Sequence, residues 1–181
     1  MERKSERLTV SALICALMIV STLWLKFTIP GTDVFVTTQL FFVALCGQML
    51  RPADCVFSLG AYLLLGLLGL PVFSAVQGIG VLATPSFGYL LGFPLSAATT
   101  AFVLARMGKR KGARLVAALA GLLVFYTVAL SYIALLFSCY LAKPVAASVL
   151  FSAYFLAFLP LDIVKLVLAI GVADRLKRAL R

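Results

Sequence analysis

Two opposite charges lie in an apolar stretch of the sequence, FLPLDIVKLVLAIG, in which Asp162 and Lys165 are three residues apart. On a helix, this spacing puts both side chains on one face. A charged side chain at the centre of a bilayer costs about 2.5–3.5 kcal/mol by insertion scales, so such residues normally face a protein interior or a wet cavity. The pair therefore predicts either a structural ion pair or a polar site. In such a site the carboxylate accepts hydrogen bonds from a small ligand and the ammonium donates them.

Uncharged polar side chains are found at the starts of other apolar stretches. Thr37 and Gln39 lie in DVFVTTQLFF, Gln77 lies in the glycine-rich connection SAVQGIGVLATPSFG, and Tyr89 follows that connection. Each of them alone could be a helix cap or a residue at the level of the lipid headgroups. Three aromatic residues flank these positions: Phe35, Phe73 and Phe87. Taken together, the polar, aromatic and glycine residues predict a ligand pocket with a mobile lid.

The composition places these residues in a membrane protein. The chain of 181 residues is 64% hydrophobic and only 12% charged, with a mean hydropathy of +1.14. Soluble domains are closer to half apolar and a quarter charged. A net charge of +10 would suggest nucleic acid as a partner in a soluble protein. Here the basic residues cluster between apolar stretches, so we expect membrane lipid around the chain and no nucleic acid.

The apolar stretches predict a single transmembrane domain over residues 1–181, an all-α bundle with six membrane-spanning helices. A span needs about 20 apolar residues, and glycine and proline residues mark the breaks between stretches. The predicted helices are roughly 8–27, 35–50, 53–69, 89–107, 114–141 and 145–173.

The distribution of basic residues predicts how this bundle is oriented. All Lys and Arg residues except Lys26, Lys143 and Lys165 fall on the side that holds both termini. Because loops rich in Lys and Arg stay in the cytoplasm, both termini are predicted to be cytoplasmic. The pocket then opens on the extracytoplasmic side of a multi-pass protein of the cell membrane.

The sequence offers little for catalysis or metal binding. It has no histidine, and its four cysteines form no C-x-x-C pair, so neither a metal site nor a cofactor is predicted. Asp162 is the one acid placed within a span, and an intramembrane enzyme would need a nucleophile with a base, paired carboxylates or metal ligands. The phosphate-binding motif G-x-x-x-x-G-K-[ST] is absent, so the chain is not expected to hydrolyse ATP, and no catalytic residue is assigned.

Several motifs resemble the BioY family, the biotin-specific substrate-binding (S) components of energy-coupling-factor (ECF) transporters. The strings YLLLGLLGLPVF and GYLLGF are the most specific, and PLDIVK carries the charged pair. The resemblance runs in order from Pro30 to Lys165. Three family motifs are altered: LRPADC has its arginine before the proline, TPSFGY has lost a glycine, and PLD replaces the family's PGD.

The resemblance implies a six-helix S-component bundle that binds biotin with high affinity at its outward end and delivers it inward. Asp162 and Lys165 match the family's acidic and basic positions and would hold the polar groups of biotin. Gln39 and Thr37 would belong to the pocket or its lid, Tyr89 matches the family tyrosine, and Gln77 lies where the family's loop makes polar contacts. In such transporters the S component topples in the membrane, driven by two ATPase subunits through a transmembrane coupling subunit.

Helix one offers a docking surface for that coupling subunit. Ala12 and Ala16 form a small-x-x-x-small face that permits close helix approach. From spacing alone, the same face could equally pack inside the bundle. Two alternatives to biotin uptake also remain open: an S component for another vitamin, and a structural membrane protein in which Asp162 and Lys165 only hold helices together.

Overall fold

A computed structural model describes residues 4–24, 26–28, 35–74, 76–108, 110, 112–140 and 146–179. These residues form an all-helical bundle with one short β-ribbon. The helices are α1 (Lys4–Trp24), α2 (Gln39–Met49), α3 (Pro52–Leu67), α4 (Ser86–Met107), α5 (Ala113–Leu135), α6 (Ala147–Phe151) and α7 (Leu159–Ala179). The ribbon pairs β1 (Lys26–Thr28) with β2 (Phe35–Thr37) in antiparallel fashion.

The ribbon corrects two predicted helix boundaries. The first helix ends at Trp24, and residues 26 and 27 of the predicted span 8–27 belong to the strand β1. The second helix was predicted over 35–50, but residues 35–37 form β2 and the helix begins only at Gln39. Apart from Lys26, both strands consist of aromatic and β-branched residues, which favour extended backbone. The two strands therefore replace the last turn of one predicted helix and the first turn of the next.

The sixth predicted helix, 145–173, is interrupted. After α6, residues Ser152–Leu156 form a π-helical turn, and α7 begins at Leu159 and continues to Ala179. Pro160, the second residue of α7, has no N–H to donate, and its ring is incompatible with a regular helix one turn earlier. A second π-helical turn, Leu136–Tyr140, follows α5. The third and fourth predicted helices agree with α3 and α4 to within three residues.

The connection between α3 and α4 is irregular, as its glycines predict. Gly69 and Gly78 have left-handed backbone conformations, with φ of 94° and 70°, which glycine adopts without strain. A short 3₁₀ helix, Gly78–Ala83, precedes α4. This connection leads into α4, and its Ser74 lies beside the first turns of α2, α4 and α7.

The bundle exposes large apolar side chains, and its mostly apolar interior also holds several polar ones. Phe57, Leu68 and Leu123 are 79%, 80% and 70% exposed. The interior contains buried polar side chains: Thr22, Gln39, Gln48, Ser96, Thr100 and Asp162. Soluble monomers rarely expose apolar surface on this scale, so the chain is a membrane protein. Three helices of the described residues are long and apolar enough to span a membrane, Ser86–Met107, Ala113–Cys139 and Ser148–Ala179, and three apolar helices are shorter.

The pair α4 and α5 forms the most closely packed part of the bundle. Gly88 and Gly92, four residues apart on α4, face the α5 backbone. A Cβ atom at Gly88 would lie 2.8 Å from the Ala129 carbonyl oxygen, and one at Gly92 would lie 2.9 Å from the Phe125 ring. Small residues at this spacing let two helix backbones approach each other. These two helices therefore form a tightly packed wall of the cavity described next.

Candidate ligand-binding site

A small cavity lies beneath the α3–α4 connection, among the first turns of α2, α4 and α7. Its polar lining is formed by Thr37, Gln39, Ser74, Ser86, Asp162 and Lys165. Its remaining lining is formed by Leu40, Tyr89, Leu90, Phe93, Phe125 and Phe158. The cavity volume is about 50 Å³, whereas pockets that hold drug-sized ligands have about 300–1,000 Å³. A ligand of that size would therefore have to displace part of the rim.

Asp162 and Lys165 form an ion pair in this lining. Lys165 Nζ donates to Asp162 Oδ1 at 2.7 Å, and the two side chains are 14% and 6% exposed. The hydroxyl of Tyr126, on α5, donates to the other carboxylate oxygen, Oδ2, at 2.6 Å. Asp162 also lies in the first turn of α7, where the helix dipole favours a negative charge. Both oxygens of the buried carboxylate thus have a donor, which a ligand N–H group could replace.

A hydrogen-bond relay connects the other predicted polar residues to the α3–α4 connection. Thr37 Oγ1 donates to Gln39 Oε1 at 2.9 Å, and Gln39 Nε2 donates to the hydroxyl of Tyr62 at 2.6 Å. That hydroxyl donates in turn to the Val72 carbonyl at 2.7 Å. Gln39 and Tyr62 are 3% and 1% exposed, so the two hydrogen bonds of the Tyr62 hydroxyl are shielded from solvent, whereas the bond from Thr37 is partly buried. The relay ties the start of α2 to α3 and to the segment that covers the cavity.

Tyr89 joins the apolar wall of the cavity. Its ring lies 5.6 Å from that of Phe125 and 6.0 Å from that of Phe158, between centroids. Its hydroxyl donates to the Tyr154 carbonyl in the π-helical turn, at 2.5 Å. The rings of Phe93 and Phe125 are stacked, with centroids 5.7 Å apart. The cavity lining thus combines aromatic rings with a charged pair. This combination suits a ligand that has an apolar ring and a polar edge.

Five of the six predicted binding residues line this cavity, and Gln77 does not. Gln77 Nε2 donates to the Phe73 carbonyl at 2.8 Å, and its Oε1 accepts from the Phe73 N–H at 3.2 Å. Gln77 therefore holds the α3–α4 connection in shape. Phe73 packs on Tyr62, Phe87 packs on Tyr132, and the side chain of Phe35 lies outside the described residues.

Three residues at the site escaped the sequence analysis: Tyr126, Ser74 and Ser86. Tyr126 reaches Asp162 across a separation of 36 residues. The serines lie at either end of the α3–α4 connection, where such residues are common in turns. A search for polar residues next to glycine-rich segments would have found the serines, but no spacing rule indicates Tyr126.

The predicted docking residues lie on the outside of the bundle. Ala12 and Ala16 are both exposed on α1, and Leu13, Leu17 and Val20 beside them are 56%, 43% and 55% exposed. The face they share is thus open in this chain, and packing inside the bundle, the alternative left by the sequence, does not occur. Within the part of the chain that the structure describes, no group of three potential metal ligands is found.

An apolar helical bundle around a small charged cavity defines a membrane substrate-binding component, and comparison with solved structures identifies the type. The chain matches the crystal structure of the S-component for biotin from an ECF-type ABC transporter with a TM-score of 0.82 and 25% identity, covering 97% of this chain and 92% of that chain. The chain belongs to the BioY family, whose model matches residues 1–181. The resemblance drawn from the sequence motifs is therefore confirmed.

Curated relatives agree with this assignment. Over 177 residues the chain is 34% identical to the biotin transporter BioY of Thermotoga maritima, covering 95% of this chain and 96% of the relative. Over 175 residues it is 33% identical to the probable biotin transporter BioY of Pyrococcus horikoshii, covering 96% and 98%.

Proposed function

We propose that this chain is the biotin-binding S component of an ECF-type transporter, capturing biotin at the extracytoplasmic side and delivering it inward. The observation that carries the proposal is the Asp162–Lys165 pair, which lines a cavity covered by the α3–α4 connection. Membrane proteins rarely keep two charges inside a span unless these face a functional interior. The chemistry of biotin also fits this cavity, and the relatives named above are biotin transporters.

The ureido ring of biotin complements the charged edge of the cavity. Its two N–H groups are donors that the Asp162 carboxylate can accept in place of its present partners. Lys165 would then donate to a carbonyl or carboxylate oxygen of the ligand, while Thr37 and Gln39 close the rim. Tyr89, Phe93 and the other aromatic side chains would cover the sulfur-containing ring. Gln77 would act indirectly, by holding the connection that closes over the ligand.

In the proposed arrangement a single domain, residues 1–181, crosses the cell membrane six times with both termini in the cytoplasm. The positions of two ion pairs support this orientation. The Arg7–Asp54 and Arg114–Asp174 pairs both lie at the end of the bundle away from the cavity, which is the end where α1 begins and α7 finishes. That end carries most of the basic residues, as a cytoplasmic face does. The chain has no ATP-hydrolysing motif of its own, so two ATPase subunits and a coupling subunit would supply the energy.

Binding can be tested with purified protein by thermal unfolding across a panel of vitamins. A ligand at a hundred times its Kd adds about 2.7 kcal/mol to the free energy of unfolding. We expect biotin alone to raise the melting temperature of the wild type. Asp162→Asn should abolish that shift. The control is Asp174→Asn, which breaks the ion pair with Arg114. Asp174 lies on the same helix as Asp162, about 18 Å further along its axis, so this variant should leave the shift intact. Stabilisation by a different vitamin would assign another substrate, and stabilisation by none would leave a structural ion pair.

Docking of the coupling subunit can be tested on α1. We expect Ala12→Trp together with Ala16→Trp to prevent co-purification of the coupling and ATPase subunits when all are co-expressed, without changing biotin affinity. The control Leu123→Trp changes a residue that is 70% exposed on α5 and should have no effect. Equal recovery of the subunits with the α1 variant would exclude this face.

A further inference from the structure

A second and larger cleft opens between α5 and α7, at the end of the bundle away from the cavity beneath the α3–α4 connection. The end of α4, the connection that follows it, the first turn of α5 and part of the second half of α7 line this α5–α7 cleft. Its volume is about 480 Å³, within the range of about 300–1,000 Å³ that is usual for ligand pockets. It shares no lining residue with the proposed biotin site, so it has room for a different ligand.

The charge of the α5–α7 cleft favours an anion. Three cations line it: Arg110, Arg114 and Lys177. The described lining holds one carboxylate, that of Asp174, which lies 2.6 Å from Arg114 Nη1, and the net charge of the lining is therefore +2. The positive end of the α5 dipole adds to this potential because the helix begins at Ala113, within the lining. Arginine side chains bind phosphate groups through paired N–H donors, so a phosphate group fits this cleft well.

The cleft continues into an apolar surface that suits the acyl chains of a lipid. The apolar part of its lining is formed by Leu104, Leu115 and Ile170. From Leu115, a row of leucines at i,i+4 spacing follows one face of α5 away from the cleft. Leu115, Leu119 and Leu123 are 48%, 46% and 70% exposed. A soluble phosphate compound would leave this row uncovered, whereas the acyl chains of a lipid would cover it.

We propose that the α5–α7 cleft binds the phosphate headgroup of an anionic phospholipid, whose acyl chains lie along the leucine row of α5. The cleft is at the end of the bundle that is proposed to face the cytoplasm, and basic pockets between helices on that side of a membrane bind anionic headgroups. A lipid held there would fix the start of α5 and the end of α7 to the cytoplasmic leaflet. This site is separate from the proposed biotin site and does not depend on it.

The test titrates the purified full chain in detergent with two lipids that have the same acyl chains. Phosphatidylglycerol is anionic, whereas phosphatidylcholine has no net charge, and native mass spectrometry measures how much of each is bound. Wild type should bind phosphatidylglycerol roughly tenfold more tightly or better, because each cation beside an anionic lipid contributes a factor of about five. Inorganic phosphate at millimolar concentration should not displace the lipid, because the free ion makes no contact with the leucine row.

Two variants should shift this affinity in opposite directions. Arg110→Gln combined with Lys177→Gln removes two of the three cations and keeps the Arg114–Asp174 pair. It should weaken phosphatidylglycerol binding roughly thirtyfold. Asp174→Asn removes the carboxylate from the lining and should tighten binding about fivefold. A loosened structure would not produce this gain, so Asp174→Asn remains decisive even if the double variant fails to fold.

The matched control is Arg51→Gln combined with Arg175→Gln. It removes two exposed cations that do not line the cleft, so it should leave the preference for phosphatidylglycerol intact. The biotin-induced shift in melting temperature should persist in all of these variants, and a wild type that binds no biotin would leave the lipid site unaffected.

Four results would overturn the lipid assignment. Wild type could bind the two lipids equally, or the control variant could lose as much affinity as the double variant. Asp174→Asn could bind phosphatidylglycerol more weakly than the wild type. Displacement of the lipid by inorganic phosphate would assign the cleft to a soluble anion instead.

Discussion

Neutralising the Asp162–Lys165 pair should separate stability from ligand binding. The side chain of Asp162 is 6% exposed, and its carboxylate has two donors, Lys165 at 2.7 Å and Tyr126 at 2.6 Å. Lys165→Met leaves this carboxylate with the phenol alone, and removing one partner of a buried pair costs about 3–5 kcal/mol. Asp162→Asn leaves a lysine whose side chain is 14% exposed, so it should cost less than Lys165→Met.

The double variant is the informative one. With Asp162→Asn and Lys165→Met combined, no buried charge remains unpaired, and replacing a buried pair by uncharged groups is often neutral or stabilising by about 1–4 kcal/mol. We therefore expect stability near or above that of the wild type. Biotin should not bind to the double variant or to either single variant, because the ligand needs the charges themselves.

Thermal and chemical unfolding in detergent, with and without biotin, measure both quantities. As a control, Asp174→Asn breaks the Arg114–Asp174 pair, whose side chains are 26% and 42% exposed, so it should cost no more than about 1 kcal/mol. A double variant that is stable and still binds biotin would show that the pair only holds helices together. Single variants as stable as the wild type would refute the burial argument.

Three further substitutions test other contacts of the site and bundle. Tyr126→Phe removes a hydrogen bond to a carboxylate and should weaken biotin binding about tenfold or more by calorimetry, whereas Thr127→Ala, which removes an exposed hydrogen bond within the same helix, should not. Gly88→Ala places a Cβ 2.8 Å from a backbone oxygen and should lower the melting temperature, whereas Gly60→Ala, with nothing within 4 Å, should leave it unchanged or raise it. Gln77→Ala removes two hydrogen bonds within the α3–α4 connection and should accelerate biotin release in stopped-flow measurements.

Each of these predictions has an opposing result. Equal biotin affinity in Tyr126→Phe would mean that the phenol does not hold the carboxylate in its binding position. If Gly88→Ala melted at the wild-type temperature, the close approach of α4 and α5 would not be needed. A Gln77→Ala protein with unchanged release would show that the connection does not control the exit of the ligand.

The sequence predicted the charged part of the site because burying charge is expensive. Asp162 and Lys165 had to face an interior, and their spacing placed them on one face. Thr37, Gln39 and Tyr89 were found because polar residues at the ends of apolar stretches are few. Their contribution to ligand binding remains a prediction.

Other features could not be predicted because they depend on contacts between distant segments. Tyr126 is one phenol in a long apolar helix, and its link to Asp162 exists only once α5 packs beside α7. Gln77 has the same chemistry as Gln39, so its type alone could not show that it binds backbone and not the cavity. The π-helical turn at Ser152–Leu156 depends on a local shift in helix register, which composition does not encode, although Pro160 marked the place.

The mutual neutralisation of Asp162 and Lys165 has an electrical consequence for transport. An empty site without net charge does no electrical work when it moves through the membrane field. One negative charge carried across the whole field corresponds to about 2.3 kcal/mol for each 100 mV. If biotin travels as an anion, the rate at which the occupied site moves across the membrane would depend on the membrane voltage. The return of the empty site, whose ion pair has no net charge, would not.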